Sequence, residues 1–109
     1  KRPPAVRAEE RGIYMRLEVV SGEYAGKWEE FSLVDELTIG SGRSCDLIWE
    51  DEDVEPLHAR IFLRGGLIFL EDLGSDQGTL LGGMRLHEAN RLRSGDEITV
   101  GSARFRMKF

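Results

Sequence analysis

Most side chains able to do chemistry in this sequence lie in two loops within residues 37–58. In the first, Gly40-Ser41-Gly42-Arg43-Ser44 sets one guanidinium among hydroxyls and backbone N–H groups, a combination suited to capturing an anionic oxygen. In the second, Glu50, Asp51, Glu52, Asp53 and Glu55 form a run of acid ahead of His58, and that run repels the same anion. A third stretch, Gly74-Ser75-Asp76-Gln77-Gly78, adds a hydroxyl at Ser75. Catalysis has little to draw on. His58 and His87 are the only histidines, Cys45 is the only thiol, and their spacing to the carboxylates matches neither a nucleophile with its base nor a metal-ligand set. No enzyme, no cofactor and no metal are therefore expected. Cys45, beside Asp46 at a strand start, reads as a small core residue, and His58, opening an apolar strand, as a loop brace. The glycines at 40–42 and 82–83 do not lead into a helix whose N-terminus would supply a field, which argues against a nucleotide site.

The elements that must hold these loops are strands. Met15, Leu17 and Val19 alternate with Arg16 and Glu18, a half-buried strand. Similar runs follow at 28–33, 37–39, 47–49, 58–63 and 67–71, the last two joined by Arg64-Gly65-Gly66, a hairpin turn. Short runs at 79–81, 84–86, 90–93 and 97–100 lead to a final one at 103–109, where Phe105, Met107 and Phe109 alternate with Arg104, Arg106 and Lys108. About eleven short strands with turn signals between them and no helical period predict an all-β fold, a two-sheet antiparallel β-sandwich. Loops at one end are then the expected seat of function. Trp28 and Trp49 read as core residues of the sandwich.

Composition is that of an ordinary soluble domain, with 40% hydrophobic and 32% charged residues. No apolar run approaches the roughly 20 residues that span a bilayer, so no membrane contact by the domain itself and a cytoplasmic setting are expected. The chain starts at Lys1 without an initiator methionine, so a longer parent is expected. Residues 1–12, with Pro3-Pro4 and four basic against two acidic side chains, read as a flexible linker, leaving 13–109 as the domain with a net charge of −7. A surface this acidic disfavours nucleic acid, whose nonspecific affinity rests on neutralised phosphates.

The ordered motifs resemble the forkhead-associated (FHA) domain, an FHA/SMAD-like β-sandwich that binds phosphothreonine peptides through loops at one edge. They are Ile39-Gly40, Cys45-Asp46-Leu47-Ile48, His58-Ala59-Arg60-Ile61, Leu70-Glu71-Asp72-Leu73-Gly74-Ser75, Gly78-Thr79 and Gly95-Asp96. The resemblance implies a protein-interaction module in which Gly40, His58 and Gly78 support the loops. It also exposes three departures. The family pattern has Arg directly after the strand-ending Gly, Ser three residues before the His, and Asn directly before the Gly-Thr, where this sequence has Ser41, Glu55 and Gln77.

A phosphothreonine carries about −1.5 to −2 charge at neutral pH. A carboxylate about 4 Å from it, at an effective dielectric of about 20, costs on the order of 4 kcal/mol per unit charge. The expected function is therefore a non-catalytic protein–protein interaction module with a degenerate, phosphate-independent site, using Ser41, Gly42, Arg43, Ser44, Glu55, Ser75, Asp76 and Gln77. Its expected partner is a basic or neutral protein segment. One alternative is a working phosphothreonine reader in which Arg43 swings over the site with Ser41, Ser44 and Ser75 as donors. Arg43 pairing with Glu55 would instead give the domain its own anion. Another alternative is a structural or assembly domain of a larger protein, a membrane-associated one included.

Overall fold

The computed structural model describes residues 12–109. The expected linker therefore lies, for residues 1–11, outside the described residues. Eleven strands follow in order: β1 (Ile13–Val19), β2 (Trp28–Leu33), β3 (Glu36–Gly40), β4 (Leu47–Ile48), β5 (Ala59–Arg64), β6 (Leu67–Asp72), β7 (Thr79–Leu81), β8 (Met84–Arg85), β9 (Asn90–Arg91), β10 (Glu97–Val100) and β11 (Ala103–Lys108). There is no helix among the described residues. The strands form a six-stranded sheet, β2-β1-β11-β10-β7-β8, and a five-stranded sheet, β4-β3-β5-β6-β9.

Period-two alternation sets which side of each strand faces inward. From the larger sheet, Met15, Leu17, Ile98, Val100, Phe105 and Met107 are buried almost completely. From the smaller, Leu37, Ile39, Ile61, Ile68 and Leu70 meet them in one apolar cluster. Each such side chain stabilises the fold by about 1.5–3 kcal/mol through removal from water, and that shared interior fixes the spacing of the two sheets. The hairpin between β5 and β6 forms as expected. Gly65 and Gly66 both take positive φ, 58° and 78°, so that Arg64 pairs with Leu67 across a two-residue turn.

One pair departs from the antiparallel expectation, since β3 and β4 run parallel, with Ile39 opposite Leu47 and Gly40 opposite Ile48. The cause is Asp46. Its carboxylate accepts from Thr38 N–H at 2.8 Å and Thr38 Oγ1 at 3.0 Å, which carries the chain back alongside β3 before β4 starts in the same direction.

The tryptophans also divide. Trp49 packs partly against the core, edge-on to Phe105 with ring centroids 5.2 Å apart. Trp28 is 48% exposed, because it opens an edge strand on the outer face, in register with Glu18, where the Arg16 guanidinium lies 4.0 Å from its ring centroid.

Candidate functional site

The strand ends bring three loops together: 41–46 after β3, 49–58 between β4 and β5, and 73–78 after β6. Backbone hydrogen bonds join the first two, from Ser41 N–H to Glu55 O at 2.9 Å and from Gly42 N–H to Pro56 O at 3.1 Å. Cys45, buried as expected, donates its thiol to Pro56 O at 3.0 Å. This close approach is why glycine stands at 40, where a Cβ would lie 2.3 Å from Pro56 O.

His58 staples the second loop to the third. Its ring is fully buried; Nδ1 accepts from Glu55 N–H at 3.2 Å, and Nε2 lies 2.9 Å from Gly78 O. An acceptor at Nδ1 places the ring proton on Nε2, where it is donated to that carbonyl. These two bonds join the second loop to the third through one ring, at the residue that sequence reads as a loop brace. Gly78 itself adopts φ 83°, a conformation in which other residues are strained.

Beneath the third loop lies Asp72. It accepts from Ser75 Oγ at 2.5 Å, Thr79 Oγ1 at 2.7 Å, and Gly74 and Ser75 N–H at 3.0 Å each. Burial alone would raise its carboxyl, but these hydrogen bonds outweigh burial and hold it below the ordinary carboxylate range. Ser75, one of the expected partner contacts, is held by that same carboxylate. It is buried, its proton goes to Asp72, and its oxygen accepts from Gly78 N–H at 2.9 Å.

Glu55 has a partner that sequence did not anticipate. Its Oε2 accepts from Asp76 N–H at 2.6 Å, and no ion pair joins it to Arg43 among the described residues. The alternative in which Arg43 pairs with Glu55 is thus replaced by a carboxylate-to-backbone bond with Asp76 N–H. Arg43 and Ser44 are exposed, and Arg43 has no hydrogen-bond partner among the described residues. Asp76 and Gln77 are exposed beside them, and Ser41 and Gly42 are half-buried. The N–H groups of Ser41, Gly42 and Asp76 all have acceptors within the domain.

The acidic loop is anchored rather than merely solvated. Val54 is buried in the core, and the Asp51 carboxyl is held below its ordinary range by Asp53 N–H and the Ser102 hydroxyl. Glu50, Glu52 and Asp53 remain exposed. Arg85 is a cation that sequence reasoning missed. The β7–β8 turn pairs it with Leu80, and its guanidinium reaches over the third loop to Asp76 O at 3.3 Å. The Gly82-Gly83 turn signal was the available clue.

A two-sheet β-sandwich with loops gathered at one end is the architecture of an FHA-type domain, and comparison with known proteins bears this out. The FHA domain family model matches residues 37–101, more than half the sequence, and the chain belongs to that family. FHA domain-containing protein FhaB of Mycobacterium tuberculosis is 30% identical over 70 residues, covering 64% of this chain and 45% of that protein. The chain thus spans about half the length of the curated relatives it matches. Among solved structures, the FHA domain of an Arabidopsis thaliana hypothetical protein superposes with a TM-score of 0.82 at 24% identity, covering 100% of this chain and 93% of that one. The FHA domain of the CT664 protein from Chlamydia trachomatis gives 0.78 at 20% identity, covering 89% and 98%. A structure from a structural and functional analysis of phosphothreonine-dependent FHA domain interactions gives 0.76 at 23% identity, covering 89% and 97%. These likenesses establish the fold. No described helix is long and apolar enough to cross a membrane.

Proposed function

We propose that this domain is a non-catalytic protein-interaction module of FHA type that recognises its partner without phosphate. The observation that carries the reading is the 2.6 Å bond from Asp76 N–H to Glu55 Oε2. An incoming phosphate needs convergent donors. Here a carboxylate of the domain already occupies one of them, and the N–H groups of Ser41 and Gly42 are turned to Glu55 O and Pro56 O. The exposed Glu50, Glu52 and Asp53 add a field of the same sign, so a basic or neutral segment is the partner this rim favours. Leu57, 52% exposed in the second loop, offers an apolar contact.

A second reading has one observation in its favour. Arg43 projects from the first loop without a partner among the described residues, so its guanidinium is available to an anion. Titration with a library of phosphothreonine peptides and their unphosphorylated counterparts separates the two. The proposal expects phosphorylation to leave affinity unchanged or to weaken it. Phosphate-dependent micromolar binding abolished by Arg43→Ala overturns it in favour of a phosphothreonine reader.

A further inference from the structure

The two sheets end side by side along one flank of the sandwich, and there they do not close. β2 terminates the larger sheet and β4 the smaller. Three cavities of about 620, 250 and 340 Å³ lie along this flank, the first beside the β1–β2 loop and the other two between β2 and β4. The first and second share Tyr24, Ile48 and Trp49, while the second and third share Glu29 and Leu47, so they form one continuous groove. Its middle section is floored by Leu17, Val19 and Phe105 of the core. Its walls expose Tyr24, Trp28 and Ile48, each between 44% and 50% exposed.

The rim of this groove is acidic from end to end. Glu23, Glu50 and Asp51 stand at the loop end, and Glu29, Glu30 and Glu36 continue along β2 to the start of β3. Among the described residues, Lys27 is the one basic side chain lining it. Glu29 is the most telling of them. It sits in register with the buried Leu17, on the inward side of β2, and so holds a carboxylate over an apolar floor. No cation pairs with Glu23, Glu29, Glu30 or Glu50 among the described residues. An inward-pointing charge on an edge strand discourages pairing with a like-charged edge. A second copy of this acidic chain is accordingly the wrong occupant.

We propose that this seam is a second docking surface, distinct from the loop tips at 41–44 and 75–78, and that it takes an extended segment of a partner protein in which lysine or arginine alternates with aliphatic residues. Such a segment presents one row of side chains to the apolar floor and the other to the carboxylates. The six residues of β2 offer about 20 Å of edge for it.

The test uses the 109-residue chain and a synthetic twelve-residue peptide of alternating lysine and leucine, with a glutamate-for-lysine peptide as control, followed by tryptophan fluorescence and calorimetry. The lysine peptide binds, the glutamate peptide does not, and raising ionic strength until the Debye length falls from about 8 Å to about 3 Å weakens the complex. Glu29→Lys with Glu30→Lys lowers affinity at least tenfold, and so does the uncharged change Ile48→Ser. Met84→Lys with Glu88→Lys, a comparable charge change at exposed positions away from the groove, lowers it less than twofold. Arg43→Ala with Gln77→Ala has no effect, which keeps this surface distinct from the loop reading. Circular dichroism confirms that each variant is folded, with Ile48→Thr replacing any serine variant that is not. Absence of binding, equal loss from the off-groove pair, or no loss at Ile48 overturns the proposal. A tenfold gain on neutralising Lys1, Arg2 and Arg7 to alanine also overturns it, by assigning the groove to the chain's own basic segment.

Discussion

If Glu55 is what turns an anion away, then restoring the family's residues at Ser41, Glu55 and Gln77 creates a phosphothreonine site. The triple variant Ser41→Arg, Glu55→Ser, Gln77→Asn does so. Removing the carboxylate frees Asp76 N–H, now bonded at 2.6 Å, and abolishes like-charge repulsion. At 4 Å and an effective dielectric of 20 that repulsion is about 4 kcal/mol per unit charge, and solvent at a half-exposed rim reduces it to roughly 2 kcal/mol. A new guanidinium at position 41 adds a charge-assisted hydrogen bond of about 1.5–3 kcal/mol. Together these give about 4 kcal/mol, close to three orders of magnitude in affinity. The cost is one hydrogen bond between loops, about 1 kcal/mol, or about 4–8 °C in melting temperature. Fluorescence anisotropy with a phosphothreonine peptide and its unphosphorylated twin, at physiological salt, reads the gain. A folded triple variant that still ignores the phosphopeptide refutes the reasoning, because the three positions then do not converge on one anion.

Three further outcomes follow from the staple and its supports. His58→Ala leaves Glu55 N–H and Gly78 O without partners in a fully buried site and opens a cavity, so urea denaturation shows a loss of about 3 kcal/mol or more. Gly40→Ala drives a Cβ toward Pro56 O and destabilises by about 1–3 kcal/mol, whereas Arg43→Ala, at an exposed position, stays within about 0.5 kcal/mol of the parent. Asp72 ionises more readily in the folded chain than in the unfolded one. Its contribution is fully present above the unfolded value of about 3.9 and is lost as pH falls through the lower folded value. Urea midpoints measured from pH 6 to pH 3 fall for the parent chain, and they fall less steeply for Asp72→Asn.

The strand order along the chain was legible because burial leaves a period in the side chains. Met15, Leu17 and Val19 announce β1 by alternation, and Gly65-Gly66 announces the following hairpin by the only residue type that adopts its dihedrals without strain. Which strands lie at an edge leaves a fainter trace. Trp28 is apolar enough to suit a core, and only the placement of β2 at the end of its sheet puts that ring in water under Arg16. Glu29 was the available hint, a charge on what became the inward side of β2. Its meaning depends on register with Leu17, which no local pattern fixes.

The candidate site divides along a similar line. Gly40 and His58 could be assigned structural roles because their residue types are unusual at those positions; in the fold Gly40 lies against Pro56 O and His58 Nε2 lies 2.9 Å from Gly78 O. Ser75 and Glu55 could not, because a hydroxyl or carboxylate has many possible partners and sequence reasoning favours the charged ones. In the fold their partners are Asp72 and backbone N–H groups, which satisfy donors that burial would otherwise strand. Side-chain charge thus led to Arg43 as the counterpart of Glu55, although the nearer donor was an amide that the sequence of residue types does not reveal. The same physics separates the two surfaces. At the apex the N–H groups of Ser41, Gly42 and Asp76 are internally satisfied, and the loops are stapled before any partner arrives. Along the β2–β4 seam the carboxylates of Glu29 and Glu30 have no cation among the described residues, and that unmet charge beside an apolar floor is what gives the flank its selectivity.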